Sequence, residues 1–216
     1  MKGRLTLKDK RPKYKKIIEA AVKVIAENGY HAAQVSKIAK QAGVADGTIY
    51  LYFKNKEDIL ISLFKEKMGI HIEKIREKLE GKRSASEKLY TLIESHFTQL
   101  DQDHDYAIVT QLELRQTNRE LRLKINQILK EYLDVIDEII EYGKITGEFR
   151  ADLDKRLARQ IIFGTIDEIV TTWVMNDQKY QLIDLVEKVY ELFMNGFQKR
   201  DTQASFSQTD VTSFQQ

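Results

Sequence analysis

The sequence predicts an all-α fold, and three observations carry that prediction. Only one proline, Pro12, occurs among 216 residues, and glycines are few, so little interrupts helix formation between residues 13 and 199. Apolar residues recur at helical spacing along that span, and the punctuation between them has the form of helix starts and stops. No segment alternates with period two for long enough to compete; "VTTWV" at 170–174 is β-prone but lies inside a longer helical pattern.

Pro12 suits a first helical position, so a first helix is expected from there to the stop signal Asn28-Gly29, burying Ile18, Ala21, Val22 and Ile25. A short second helix carries Val35, Ile38, Ala39 and Ala42 and ends at Gly43. A third is expected over Asp46 to Phe53, with Val44 stapled against Ile49. Asn55 caps a fourth, favoured by Glu57 and Asp58 in its first turn and running to about Leu79. Ser84 with Glu87 and Thr117 with Glu120 fit capping boxes that mark starts near 85 and 118, and "DQDHD" at 101–105 breaks the span between them. The long helix from Asn118 carries Leu121, Ile125, Ile128, Tyr132, Ile136 and Ile139 and should stop at Gly147. Asp152 is the expected cap of a helix over Leu153 to Met175, and a last helix spans Tyr180 to Gln198.

With 42% hydrophobic and 31% charged residues the chain is globular, and with no cysteine it holds neither disulfides nor thiolate metal sites. No segment reaches the length of a membrane span and no signal peptide is evident, so a cytoplasmic protein without membrane partners is expected. The net charge of +2 hides an asymmetry: residues 1–56 carry 13 Lys and Arg against 4 Asp and Glu, net +9, and the remainder carries net −7. Such a split points to a polyanion-binding module on an acidic body.

Helix, short helix, glycine turn, short helix is the order of a helix-turn-helix DNA reader. Projected at ~100° per residue, Ile49 and Phe53 face the core; Gly47 and Leu51 point away from it; Thr48 and Tyr50 take the flanks and Tyr52 the core boundary. Leu51 can meet a thymine methyl in the major groove, while Gly47 removes bulk where backbone amides approach phosphate. The hydroxyls of Thr48, Tyr50 and Tyr52, with Lys54 and Lys56, are candidates for phosphate contacts.

"IIEAAVKVIAENGYHAAQVSKIAKQAGVADGTIYLYFKNKEDIL" resembles the DNA-binding domain of the TetR family of bacterial repressors. The resemblance implies an all-helical homodimer of about nine helices, three for DNA and the rest for effector binding and dimerisation. Positions matching the family's DNA contacts are Asp46, Gly47, Thr48, Tyr50, Leu51, Tyr52 and Lys56. Gln34 and Ala45 stand where the family often has Thr and Ser helix caps, which puts phosphate contacts from those two positions in doubt. The domain division is then a basic flexible arm at 1–11, the DNA-binding domain at 12–56, the effector and dimerisation domain at 57–199, and a disordered tail at 200–216.

"AIVTQLELRQTN" at 107–118 and "LARQIIFGTIDEIVTTWVMNDQKYQL" at 157–182 resemble the fatty-acid degradation repressors of this family from Gram-positive bacteria. That implies a repressor released from a palindromic operator by long-chain acyl-CoA. Such a ligand needs an apolar tunnel and a cationic mouth. Arg115, Arg119 and Arg122 are the candidates for the mouth, unless they pair with Glu113, Glu120 and other acids. Phe97, Leu112, Phe163, Ile166 and Trp173 are nominated for the tunnel, the alternative for each being plain core.

The last two helices, with Leu182, Val186, Val189, Phe193 and Phe197, suit a four-helix dimer interface, setting two reading helices ~34 Å apart or a little more on double-stranded operator DNA. An efflux-pump repressor sensing a hydrophobic drug would use the same fold without a cationic mouth, and a helical adaptor would not bind DNA specifically. His31, His71, His96 and His104 are scattered and form no metal motif, so neither catalytic residues, metal nor cofactor is expected, and the chain is read as not an enzyme.

Overall fold

The computed structural model describes residues 7–199, and within them the fold is wholly helical apart from one isolated backbone bridge. The helices are α1 (Leu7–Ala32), α2 (Val35–Ala42), α3 (Asp46–Ile49), α4 (Lys56–Leu79), α5 (Ala85–Gln102), α6 (His104–Glu113), α7 (Arg119–Thr146), α8 (Lys155–Met175) and α9 (Val186–Phe197). A 3-10 turn over Leu182–Leu185 precedes α9, so the helix expected from Tyr180 is broken.

The stops fall where glycine can take a left-handed backbone. Gly43 (φ 66) and Gly147 (φ 76) close α2 and α7, while Gly29 (φ 72, ψ 155) breaks α1 and leaves a last turn to Ala32. The starts depart from expectation in three places. α1 opens at Leu7, so Pro12 lies inside the helix and not at its first position. Asn118, one residue after Thr117, caps α7 by accepting the Leu121 N–H, and Asp154, two residues after Asp152, caps α8 by accepting that of Leu157. The residues expected as caps are thus displaced by better-registered neighbours. Asn55 and Ser84 cap α4 and α5 as expected. Residues 1–6 of the expected arm and the whole tail from 200 lie outside the described residues, and residues 7–11 open α1.

Ile18, Ala21, Val22 and Ile25 of α1 close over Ile38, Ala39, Ile49 and Phe53, the core of the three-helix N-terminal unit. Burying a side chain such as Phe53 stabilises by roughly 1.5–3 kcal/mol, enough to hold a one-turn α3 that could not persist alone. In the body, α5 is central, packed against α4, α7, α8 and α9 through Leu89, Leu92, Ile93, Phe97 and Leu100. The two units join where α1 lies on α6 and α4. After Gly147, Phe149 pairs with Gln198 and lays its ring over Gly143 and 6.1 Å from that of Phe197, tying α9 to the end of α7.

The five apolar residues offered for a dimer face are corrected by this packing. Leu182, Val186, Val189, Phe193 and Phe197 are all buried within the single chain, because α9 and its preceding turn use that stripe to cover α5. The apolar residues left exposed on the last two helices are Leu157, Ile161 and Met175 of α8 and Leu192 of α9.

Candidate nucleic-acid interface and effector cavity

α3 is shorter than the periodicity predicts: the α-helix ends at Ile49, and the chain tightens through Leu51 N–H to Thr48 O and Tyr52 N–H to Ile49 O before Phe53 returns to the core. Phe53 is pinned by stacking on Tyr14 of α1, ring centroids 5.3 Å apart. The directions read from the sequence hold. Ile49 and Phe53 are buried, Gly47 is exposed with open space where a Cβ would stand, and Leu51 is 65% exposed. Asp46, Tyr50 and Lys54 are exposed and Thr48 is half-buried beside them.

Two of the nominated groups have surroundings within the chain itself. The Tyr52 hydroxyl is shielded and has no hydrogen-bond partner among the described residues, because the tightened turn lays the ring beside Phe53 at 6.3 Å, against the core. Lys56 turns back to the end of α1: its Nζ donates to the carbonyls of Tyr30 (3.0 Å), His31 (2.9 Å) and Ala33 (3.2 Å), with the Tyr30 ring 4.7 Å beneath it. Carbonyls orphaned where α1 ends draw a cation inward. Gln34 and Ala45 make no side-chain cap, so α2 and α3 open onto a shallow depression lined by Val35, Ser36, Asp46 and Tyr50. Uncapped N–H groups at a helix start are chemically suited to a phosphate oxygen.

Behind this unit the body holds a narrow cavity of about 40 Å³. Met68, Leu100, Leu114, Leu129 and Phe163 supply apolar walls, and His71, His96, Tyr132, Thr110, Gln111 and Asp167 supply polar ones. Of the five residues nominated for a tunnel, only Phe163 lines it. Phe97 and Ile166 are fully buried behind it; Trp173 is a wedge whose indole N–H donates to Tyr180 O at 2.7 Å; Leu112 is 47% exposed on the outer side of α6. Helical period identifies a buried face but not which buried residue borders empty space.

The three arginines are not equivalent. Arg115 donates to the buried carboxylate of Asp167 at the cavity wall. Arg122 donates to Gln116 O at 2.9 Å, satisfying a carbonyl where α6 has ended. Arg119 is exposed and makes no ion pair among the described residues. None pairs with Glu113 or Glu120: Glu120 holds Lys124 at 2.6 Å, and Glu113 holds Gln116 and the backbone N–H of Tyr30.

That last bond, 2.8 Å long and buried, joins the end of α6 to the broken end of α1. A second tether runs through Lys67, whose Nζ meets Glu19 of α1 at 2.8 Å and Asp103, the cap of α6, at 3.0 Å. The cavity walls supplied by α6 are therefore mechanically continuous with the helix that supports α3.

Burial holds both cavity imidazoles neutral. His71 is pushed down to about 4, chiefly by desolvation with Lys74 and Lys78 adding repulsion, and His96 to about 3 by desolvation and by His71. The sequence offered a usable sign of these groups, since His71, His96 and Asp167 occupy positions on otherwise apolar helix faces.

Residues 17–63 match the family described as "Bacterial regulatory proteins, tetR family", and residues 64–196 match "YsiA-like protein, C-terminal region". The chain is similar to the fatty acid metabolism regulator protein of Bacillus subtilis (strain 168), 66% identical over 194 residues that cover 90% of this chain and all of that one. Its fold matches the crystal structure of FadR from Bacillus subtilis in complex with stearoyl-CoA (TM-score 0.83, 67% identity, 85% of this chain and 98% of that one). It equally matches the fatty acid degradation regulator FadR of Bacillus halodurans (TM-score 0.83, 62% identity, 85% and 98%).

Proposed function

The chain belongs to the TetR family of bacterial regulatory proteins, and from that premise we propose that it is a DNA-binding repressor of fatty-acid degradation genes, released from its operator by long-chain acyl-CoA. The observation that carries this reading is the α6 wall: Tyr106, Thr110 and Gln111 line an apolar cavity, and the same helix ends in Glu113 on the Tyr30 N–H. An acyl chain entering the cavity displaces α6, and the displacement reaches the DNA reader through α1. Only a ligand that binds the DNA-incompetent arrangement more tightly shifts the balance, so the cavity must fit the acyl chain better after α6 has moved.

On DNA, Leu51 and Gly47 form the crest that enters the major groove, while Asp46, Thr48, Tyr50 and Lys54 flank it, and the uncapped starts of α2 and α3 approach phosphates. For the phosphates of coenzyme A the proposed cations are Arg119, exposed at the start of α7, and Arg115, recruited from Asp167.

Dimerisation uses the exposed stripe of α8, residues Leu157, Ile161, Gly164, Glu168, Thr172 and Met175, against Leu192 and Gly196 of α9. The two glycines let helices approach closely, and an apolar stripe left unpaired on a helix pair is the surface a second copy covers.

Titration of stearoyl-CoA into the operator complex at fixed ionic strength tests the reading. Release is expected, and Arg119→Glu should raise the concentration required by about fivefold without affecting release by any neutral ligand. A complex that survives saturating stearoyl-CoA rules the effector out.

A further inference from the structure

His71, His96 and Tyr132 meet inside the cavity, one each from α4, α5 and α7. Ring centroids are 5.8 Å apart for the two histidines, 5.4 Å for His96 and Tyr132, and 6.3 Å for His71 and Tyr132. Nε2 of His71, both ring nitrogens of His96 and the Tyr132 hydroxyl are shielded and have no hydrogen-bond partner among the described residues. A site built only for a methylene chain would carry leucine or phenylalanine at these positions and avoid desolvating four polar atoms without compensation.

The chemistry of the cluster selects its ligand. Both imidazoles are neutral, so each offers one donor and one acceptor, and the phenol offers one of each. The Asp167 carboxylate at the same cavity already holds Arg115, and the neutral rings offer a second anion no counter-charge for its burial. The complement is an uncharged group that both donates and accepts, which describes an alcohol hydroxyl and neither a carboxylate nor a phosphate.

We propose that His71, His96 and Tyr132 form a polar subsite within the acyl cavity that binds a hydroxyl on the acyl chain, so that the protein responds to a hydroxylated long-chain acyl-CoA in preference to the saturated one. The inference rests on the acyl-CoA reading above. It adds a chemical distinction among acyl chains that the apolar walls cannot make, because a buried hydroxyl away from the cluster loses its hydration and gains nothing.

The test uses the full-length protein on operator DNA, with release followed by fluorescence anisotropy. Stearoyl-CoA is compared with hydroxystearoyl-CoA isomers whose hydroxyl is moved stepwise along the chain. Isomers bearing it over one short region should release DNA at a concentration about fivefold below that of stearoyl-CoA, and isomers elsewhere at a higher one. Tyr132→Phe and His96→Phe should bring the favoured ratio to about one, a change that loss of stability alone does not produce because both ligands meet the same protein.

If no isomer outperforms stearoyl-CoA, as when water alone satisfies the cluster, the subsite is refuted by the unsubstituted protein itself. Persistence of the ratio in both variants refutes it equally. If neither stearoyl-CoA nor any isomer releases DNA, the acyl-CoA reading fails and the subsite falls with it.

Discussion

The carboxylate of Glu113 accepts the backbone N–H of Tyr30 at 2.8 Å, joining the ends of α6 and α1 across 83 residues of sequence. Glu113→Ala leaves that N–H buried without a partner, which costs about 1–3 kcal/mol and lowers the melting temperature. It should also raise the stearoyl-CoA concentration for half-release of operator. A variant that melts early but releases DNA at the unchanged concentration would show the bond to be structural only.

Leu51 is 65% exposed and contributes little to the core, so Leu51→Ala should leave the melting temperature within about a degree of its starting value. Operator affinity should fall roughly 30-fold, about fivefold per half-site, from loss in each subunit of an apolar base contact worth about 1 kcal/mol. Since no phosphate contact is removed, the dependence of binding on salt should keep its slope. A changed slope would move Leu51 off the reading crest.

Leu192 is exposed on α9 while its neighbours Val189 and Phe193 are buried. Leu192→Asp therefore leaves the chain's own core intact and places a charge on the proposed dimer face. Sedimentation should show dissociation toward monomer, and operator binding should weaken at least tenfold because two half-sites are no longer engaged together. A variant that stays dimeric would locate the interface elsewhere.

A Cβ on Gly143 would lie 2.3 Å from the Phe149 ring, far inside contact distance. Gly143→Ala should destabilise by about 1–3 kcal/mol through overpacking where Phe149 ties the ends of α7 and α9, read as a lower urea midpoint. Adding Phe149→Leu makes room, and the double variant should recover part of the loss. A single variant as stable as the parent would mean that Phe149 has another place to go.

His71 and His96 bind protons more weakly in the native state, at about 4 and 3, than at the ordinary value of 6.5 that describes the unfolded chain. Their contribution is therefore complete above pH 6.5 and is lost as pH falls from there through the native values, at up to about 1.4 kcal/mol per pH unit for each ring. Urea denaturation between pH 7 and pH 5 should show that decline, and His96→Phe should flatten it. An unchanged slope in the variant would assign the decline to other groups.

Much of the molecule is legible in the sequence, and the reason is local. Asn55 and Ser84 cap helices and Gly43 and Gly147 end them because those side chains and backbone conformations act within four residues of themselves. The exposed face proposed for DNA is legible for the same reason: one turn separates buried Ile49 from buried Phe53, which leaves Gly47 and Leu51 outward. Similarity to the TetR family follows from the same short stretch.

Tertiary structure alone decided what nonlocal groups do. The fold shows the Lys56 ammonium on three carbonyls at the end of α1, and of the acids open to Arg115 it selects Asp167 of α8. The apolar stripe expected at a dimer interface is packed on α5 instead. Periodicity tells which side of a helix avoids water but not what it meets, because partner and empty space are set by residues dozens of positions away. For that reason the helices and the outward face of Gly47 and Leu51 could be read from the chain, while the cavity, its neutral histidines and the Glu113 to Tyr30 bond required the fold.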